Sequence, residues 1–203
     1  MPPQVDPSQG EDRVLTLPNA VTIVRLGCVP VFLFLLFHHR PAYWYQAAFL
    51  LAALGCTDWV DGYLARHLHQ VSALGKVLDP LADRLMLICG IGGILYVGAV
   101  PRWVAVVALG REGLVAGATL VLAAMGAKRI DVTWFGKAGT FGLMVAFPLF
   151  LTNHSTADWH HLAGQLAWVA AIPGQAFGLY ALLLYVPLAR TALREGRAAG
   201  VAA

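Results

Sequence analysis

Long apolar runs separated by short polar connectors make up most of this chain. They predict six helical spans, near 18–38, 43–66, 77–99, 101–125, 134–152 and 163–189. Each is close to the roughly 20 residues that a helix needs to cross hydrocarbon. Short connectors around His39–Ala42, His67–Lys76, Val100–Pro101 and Gly126–Thr133 favour helical hairpins, and Asn153–Leu162 separates the last two spans. The expected fold is an all-α polytopic membrane protein with six transmembrane helices occupying 15–190. Polar segments 1–14 and 191–203 are expected to be cytoplasmic, and the ends are where disorder is expected. Residues 1–14 do not read as a secretory signal, so the first apolar segment is expected to stay in the mature protein.

Composition agrees with this reading. Of 203 residues, 59% are hydrophobic and 12% charged, where a soluble domain would carry about 25% charged residues. The net charge of +3 says less than the placement of the basic residues. Arg13, Arg66, Lys76, Lys128, Arg129, Lys137, Arg190, Arg194 and Arg197 fall at the termini and in the second and fourth connectors. The positive-inside rule then puts both termini and those connectors in the cytoplasm. Tyr43, Trp44, Tyr45, Trp103, Trp134 and Trp159 stand near span ends, as an aromatic belt requires. Cys28, Cys56 and Cys89 lack CxxC spacing and read as buried free thiols.

Against this apolar background stand four aspartates: Asp58, Asp61, Asp79 and Asp83. The pattern is D-x-x-D-G-x-x-A-R, eight residues, then G-x-x-x-D-x-x-x-D. Carboxylates in a hydrophobic helix are costly unless they pair or bind cations, so the cluster is a functional site. The first two are three apart and the last two four apart, so each pair shares a helical face. The short connector is expected to turn these faces toward one another. Like charges at such proximity raise each other's pKa, and divalent cations resolve the conflict. All-oxygen ligation suits Mg²⁺ or Mn²⁺, and two such ions would form a clamp for displacement at phosphorus. Gly62 and Gly75 would let a nucleotide or pyrophosphate approach the backbone, and Arg66 can neutralise phosphate oxygens.

The stretch Asp58 to Asp83 resembles the complete signature of the CDP-alcohol phosphotransferases. The opening Pro18-Asn19-Ala20-Val21-Thr22-Ile23-Val24-Arg25 is similar to that of bacterial phosphatidylglycerophosphate and cardiolipin synthases. Leu78 to Arg84, Arg111-Glu112 and Phe135-Gly136-Lys137 resemble the same branch. The resemblance implies the six-helix CDP-alcohol phosphotransferase fold, usually a homodimer, in a bacterial inner membrane with the active site on the cytoplasmic side. It implies Asp58, Asp61, Asp79 and Asp83 as metal ligands, with Asp83 also the general base. Asp58, Gly62, Ala65, Arg66 and Gly75 would border the CDP group. The implied substrates are CDP-diacylglycerol and a glycerol-type acceptor. The preferred acceptor is sn-glycerol 3-phosphate, giving phosphatidylglycerophosphate and CMP; the alternative is phosphatidylglycerol, giving cardiolipin. No nucleic-acid partner is expected.

Arg111, Lys137 and Arg25 are cations within or at the edges of apolar spans, read as an acceptor pocket rather than as side chains snorkelling to headgroups. Arg111 falls near mid-span, and Glu112 is not expected to share its face. Asn19, Thr22 and Arg25 recur every three residues as one polar stripe. The histidines read as interfacial or loop residues, and Tyr180 and Tyr185 as packing or dimer surface. A cation or proton transporter is a remote alternative. It would spread acidic residues along a path, whereas here they cluster at one end of the helices.

Overall fold

Inside hydrocarbon every backbone amide must find its partner within the chain, so uninterrupted apolar runs fold as helices. A computed structural model describes the backbone of residues 17–38, 40–68, 75–125 and 133–201. Side chains are described for 23–38, 40–57, 85–122, 124–125 and 133–193. Six helices follow in order: α1 (Leu17–Phe37), α2 (Pro41–Leu68), α3 (Gly75–Tyr96), α4 (Arg102–Ala124), α5 (Trp134–Asn153) and α6 (His160–Val201). The described residues contain no strand.

Local chemistry sets the helix ends. Pro41 opens α2, where its missing N–H would have been unbonded in any case. Trp44 Nε1 donates to Leu36 O at 3.0 Å and so satisfies a carbonyl at the end of α1. α3 stops in a Schellman arrangement. Ala99 N donates to Ile94 O at 3.2 Å and Gly98 N to Leu95 O at 3.1 Å, with Gly98 at φ 74°. That left-handed conformation is open to glycine without a Cβ penalty. α5 begins at Thr133, whose hydroxyl accepts from Gly136 N at 3.2 Å.

Six helices form where the six spans are expected, three of them long and apolar enough among the described residues to cross a membrane, with one difference in extent at the end. α6 continues to Val201, where the sequence reading stopped near 189 and expected disorder from 191. The segment Thr191-Ala192-Leu193-Arg194-Glu195-Gly196-Arg197-Ala198-Ala199 is rich in strong helix formers, and a helix need not stop where hydrocarbon does.

The helices pack as one connected bundle. α1 lies against α2 and α3, α5 runs along α6 in the most extensive contact, α4 leans on α6, and α2 reaches across to α5. The core sits toward the end holding the α1–α2, α3–α4 and α5–α6 turns, with Leu36, Ile94, Val104 and Leu151 fully buried. Outside, large apolar side chains face outward all round, among them Phe49 on α2, Ile88 on α3, Leu114 on α4 and Val169 and Leu183 on α6. Contiguous apolar surface of this kind needs a nonaqueous neighbour. Among the described residues, Arg102–Leu122, Trp134–Asn153 and His160–Leu193 are long and apolar enough to cross a membrane.

The α5–α6 seam is built on glycine. A Cβ on Gly139 would stand 2.7 Å from Gly178 N and 2.9 Å from Gly174 O, and one on Gly142 would stand 2.9 Å from Gly174 Cα. The two backbones therefore touch, the close approach that small residues four apart permit between membrane helices. Gln175, also on α6 and buried, donates from Nε2 to Val104 O at 2.6 Å and ties α4 to the same helix.

Candidate active site

A cavity of about 290 Å³ lies between α2, α3, α4 and α5. Its walls are apolar over most of their height, with Leu51 and Leu54 from α2, Leu87 and Ile91 from α3, and Leu143 and Phe147 from α5. Met144 projects into the notch left at Gly55, where a Cβ would overlap its Cε. The polar residues of the lining, Arg111, Glu112 and Thr140, lie at the opposite end from the buried core.

That polar end points toward the aspartates. Asp58 and Asp61 lie on α2, and Asp79 and Asp83 on α3. Helical spacing of three, four and seven residues keeps positions on one face. Asp58 follows Leu54 by four and Leu51 by seven, and Asp61 follows Leu54 by seven. Asp83 precedes Met86 by three and Leu87 by four, and Asp79 precedes Met86 by seven. All four positions therefore continue cavity-lining faces of their helices beyond the polar end. The side chains of Asp58, Asp61, Asp79 and Asp83, and those of Ala65 and Arg66, lie outside the described residues. So do the surroundings of Gly62 and Gly75, whose backbones are helical. An all-carboxylate donor set on two helices bordering a cavity has the chemistry that Mg²⁺ or Mn²⁺ requires.

Arg111 is placed by α4 at 6% exposure, on the cavity wall. Its Nη2 donates to Thr140 Oγ1 at 3.0 Å, and Thr140 donates onward to Gly136 O at 3.0 Å. Nη2 also meets the carboxylate of Glu112. This corrects the expectation that Glu112 cannot share the face of Arg111. Consecutive helical positions diverge by about 100°, but both side chains are long enough to curve into one cavity. Burying a guanidinium demands such a partner.

The other two cations are placed differently. Arg25 is buried in α1 at 8% exposure. Lys137 is exposed in the first turn of α5, three residues before Thr140, and does not line the cavity. Tyr185, read from sequence as packing or dimer surface, lies near enough to Arg111 and Glu112 to feel both charges. Sequence reasoning did not single out Thr140, Gln175 or Gly178. The G-x-x-x-G spacing of Gly174 and Gly178 was the available signal for the last.

Comparison with known proteins identifies the family. The family description "CDP-alcohol phosphatidyltransferase" matches residues 15–188. A protein of Streptomyces coelicolor named cardiolipin synthase (CMP-forming) is 37% identical over 195 residues, covering 93% of this chain and 89% of the relative. A CDP-diacylglycerol–glycerol-3-phosphate 3-phosphatidyltransferase of Bacillus subtilis is 31% identical over 153 residues, covering 70% and 79%. A protein of Mycobacterium tuberculosis named putative cardiolipin synthase is 36% identical over 186 residues, covering 89% and 86%, and a second protein with the Bacillus subtilis name, from Rickettsia bellii, is 32% identical over 158 residues, covering 76% and 87%. No solved structure matches the chain. With the family match running over residues 15–188 and a 37% identical relative covering 93% of the chain, the chain belongs to the CDP-alcohol phosphatidyltransferase family.

Proposed function

We propose that this enzyme moves the phosphatidyl group of CDP-diacylglycerol to a glycerol-type acceptor and releases CMP. The observation that carries the reading is an apolar cavity whose polar end is in helical register with the four aspartate positions of α2 and α3. A lipid nucleotide has that same polarity: acyl chains at one end and a pyrophosphate at the other. Six transmembrane helices within 15–190, cytoplasmic 1–14 and 191–203, and an active site on the cytoplasmic side complete the proposal, supported by the asymmetry of basic residues. A homodimer is proposed from the family resemblance.

Asp58, Asp61, Asp79 and Asp83 would hold two Mg²⁺ or Mn²⁺ ions, which supply charge stabilisation at the pyrophosphate when bound. Gly62, Ala65, Arg66 and Gly75, with Asp58, border the CDP group. Asp83 takes the proton of the acceptor hydroxyl. The freed oxygen attacks the lipid-bearing phosphorus in line, the bond to the CMP oxygen breaks, and CMP leaves with Arg66 beside its phosphate. General-base assistance of this kind contributes about 10²–10⁴-fold. No covalent enzyme intermediate is needed, because the acceptor attacks directly.

The acceptor is sn-glycerol 3-phosphate in the first reading, giving phosphatidylglycerophosphate. Its support is the buried guanidinium of Arg111 on the cavity wall, a fixed cation for an acceptor phosphate; Lys137 and Arg25, proposed with it from the sequence, do not line that cavity. The relatives of Bacillus subtilis and Rickettsia bellii carry the name of that activity. A second reading has phosphatidylglycerol as acceptor and cardiolipin as product. The greater identity and fuller coverage of the Streptomyces coelicolor relative favour it, more than the residues alone do. The deciding experiment supplies purified protein with Mg²⁺, CDP-diacylglycerol and one acceptor at a time, following CMP and the lipid product. Phosphatidylglycerophosphate establishes the first reading, and cardiolipin alone establishes the second. Release of CMP with neither acceptor would refute both.

A further inference from the structure

The glycines of the α5–α6 seam do not all do the same work. A Cβ on Gly139, Gly142 or Gly174 would meet backbone atoms of the opposite helix. For a Cβ on Gly178 the three nearest atoms all belong to the Arg111 side chain, with Nη1 closest, Cδ at 3.0 Å and Cζ at 3.3 Å. The space vacated by the missing methyl is where the guanidinium sits. Three further contacts fix that seat. Thr140 on α5 and Glu112 on α4 hold Nη2. Gln175, one turn before Gly178, holds α6 to Val104, two turns before Arg111 on α4.

We infer that Gly178 is a positioning residue, seating the Arg111 guanidinium against α6 so that it faces the cavity at a fixed depth. The inference rests on the proposed function for its catalytic meaning, since an acceptor phosphate is what a fixed cation on that wall would orient. It adds a third helix to the acceptor subsite, since α6 contributes no residue to the cavity lining. A methyl at 178 would press first on Arg111 side-chain atoms, which can shift, where one at 139, 142 or 174 would press on backbone. The fold survives, and the guanidinium moves toward the cavity.

The test is G178A in the full-length protein, alone and combined with R111K, with three measurements. In kinetics at saturating CDP-diacylglycerol, the acceptor KM of G178A should rise about tenfold, with kcat and the KM for CDP-diacylglycerol within about twofold of the parent. In the R111K background the same substitution should add no further rise, because the two residues act as one unit. Phenylglyoxal labelling read by mass spectrometry should show Arg111 modified faster in G178A. An unchanged acceptor KM, additive effects with R111K, or unchanged labelling would each overturn the inference. If G178A does not fold, recovery of folding by R111K supports the clash with Arg111, and continued failure overturns it. Should the parent protein use neither acceptor while labelling still responds, the functional reading fails and the seating of Arg111 stands.

Discussion

Replacing Gly139 by alanine should destabilise the protein, although glycine-to-alanine changes inside helices are ordinarily favourable by about 1 kcal/mol. A methyl there stands 2.7 Å from Gly178 N and 2.9 Å from both Gly174 O and Gly178 Cα, whereas ordinary contact begins at 3.4 Å. All three obstacles are backbone atoms, so no rotamer change relieves them, and α5 and α6 must part by about 0.7 Å or distort. Overpacking of this kind costs about 1–3 kcal/mol. The clean measurement compares G139A with G117A. Gly117 is an exposed position within α4 with nothing within 4 Å of its added Cβ. The gain in helix propensity is common to both variants, so their difference isolates the cost of separating the helices. At roughly 2–4 °C per kcal/mol for a chain of this size, G139A should melt about 2–12 °C below G117A. Thermal unfolding in one detergent, followed by tryptophan fluorescence, reads this directly. If G139A melts at or above G117A, the α5–α6 backbone contact is not as close as described.

Asp83, as the proposed base, should lose about 10²–10⁴-fold in transfer when changed to asparagine; near-normal CMP release by D83N would remove that role. Chelation with EDTA should abolish CMP release, and added Mg²⁺ or Mn²⁺ should restore it; full activity after exhaustive chelation would exclude the carboxylate–metal site. Gln175 Oε1 is buried with no hydrogen-bond partner in the structure. Q175L therefore removes one hydrogen bond and one unsatisfied acceptor together, and should leave stability within about 1 kcal/mol of the parent or above it. A loss beyond about 3 kcal/mol in the same melting assay would show that Oε1 is bonded after all.

The helices were legible because hydrocarbon leaves an apolar run little choice but to be helical. The aspartate signature was legible because costly residues at fixed offsets have few explanations. What escaped depended on tertiary pairing. Arg111 and Glu112 were assigned to different faces from their adjacent numbers, but the length of both side chains decided otherwise. Thr140 became visible only once α5 had been set beside α4, since nothing in Gly-Thr-Phe announces a partner 29 residues upstream. Gly178 looked like one more glycine in an apolar helix until its missing atom was measured against Arg111. The end of α6 was misjudged because the apolar stretch stops before the helix does.

That last helix also sets a length scale. Its 42 residues extend about 63 Å at 1.5 Å per residue, against a hydrocarbon core of about 30 Å. Even strong tilting, taken at about 40°, leaves some 48 Å along the membrane normal. An α6 that crosses the bilayer would therefore leave at least about 18 Å of helix outside the hydrocarbon, shared between its two ends. Because α6 packs on α4 and α5 without lining the cavity, a load on its C-terminal end would pass the interior Pro187 before reaching the Arg111 wall. A bulky fusion on the α6 end accordingly tests whether Pro187 uncouples the projecting turns from the acceptor side.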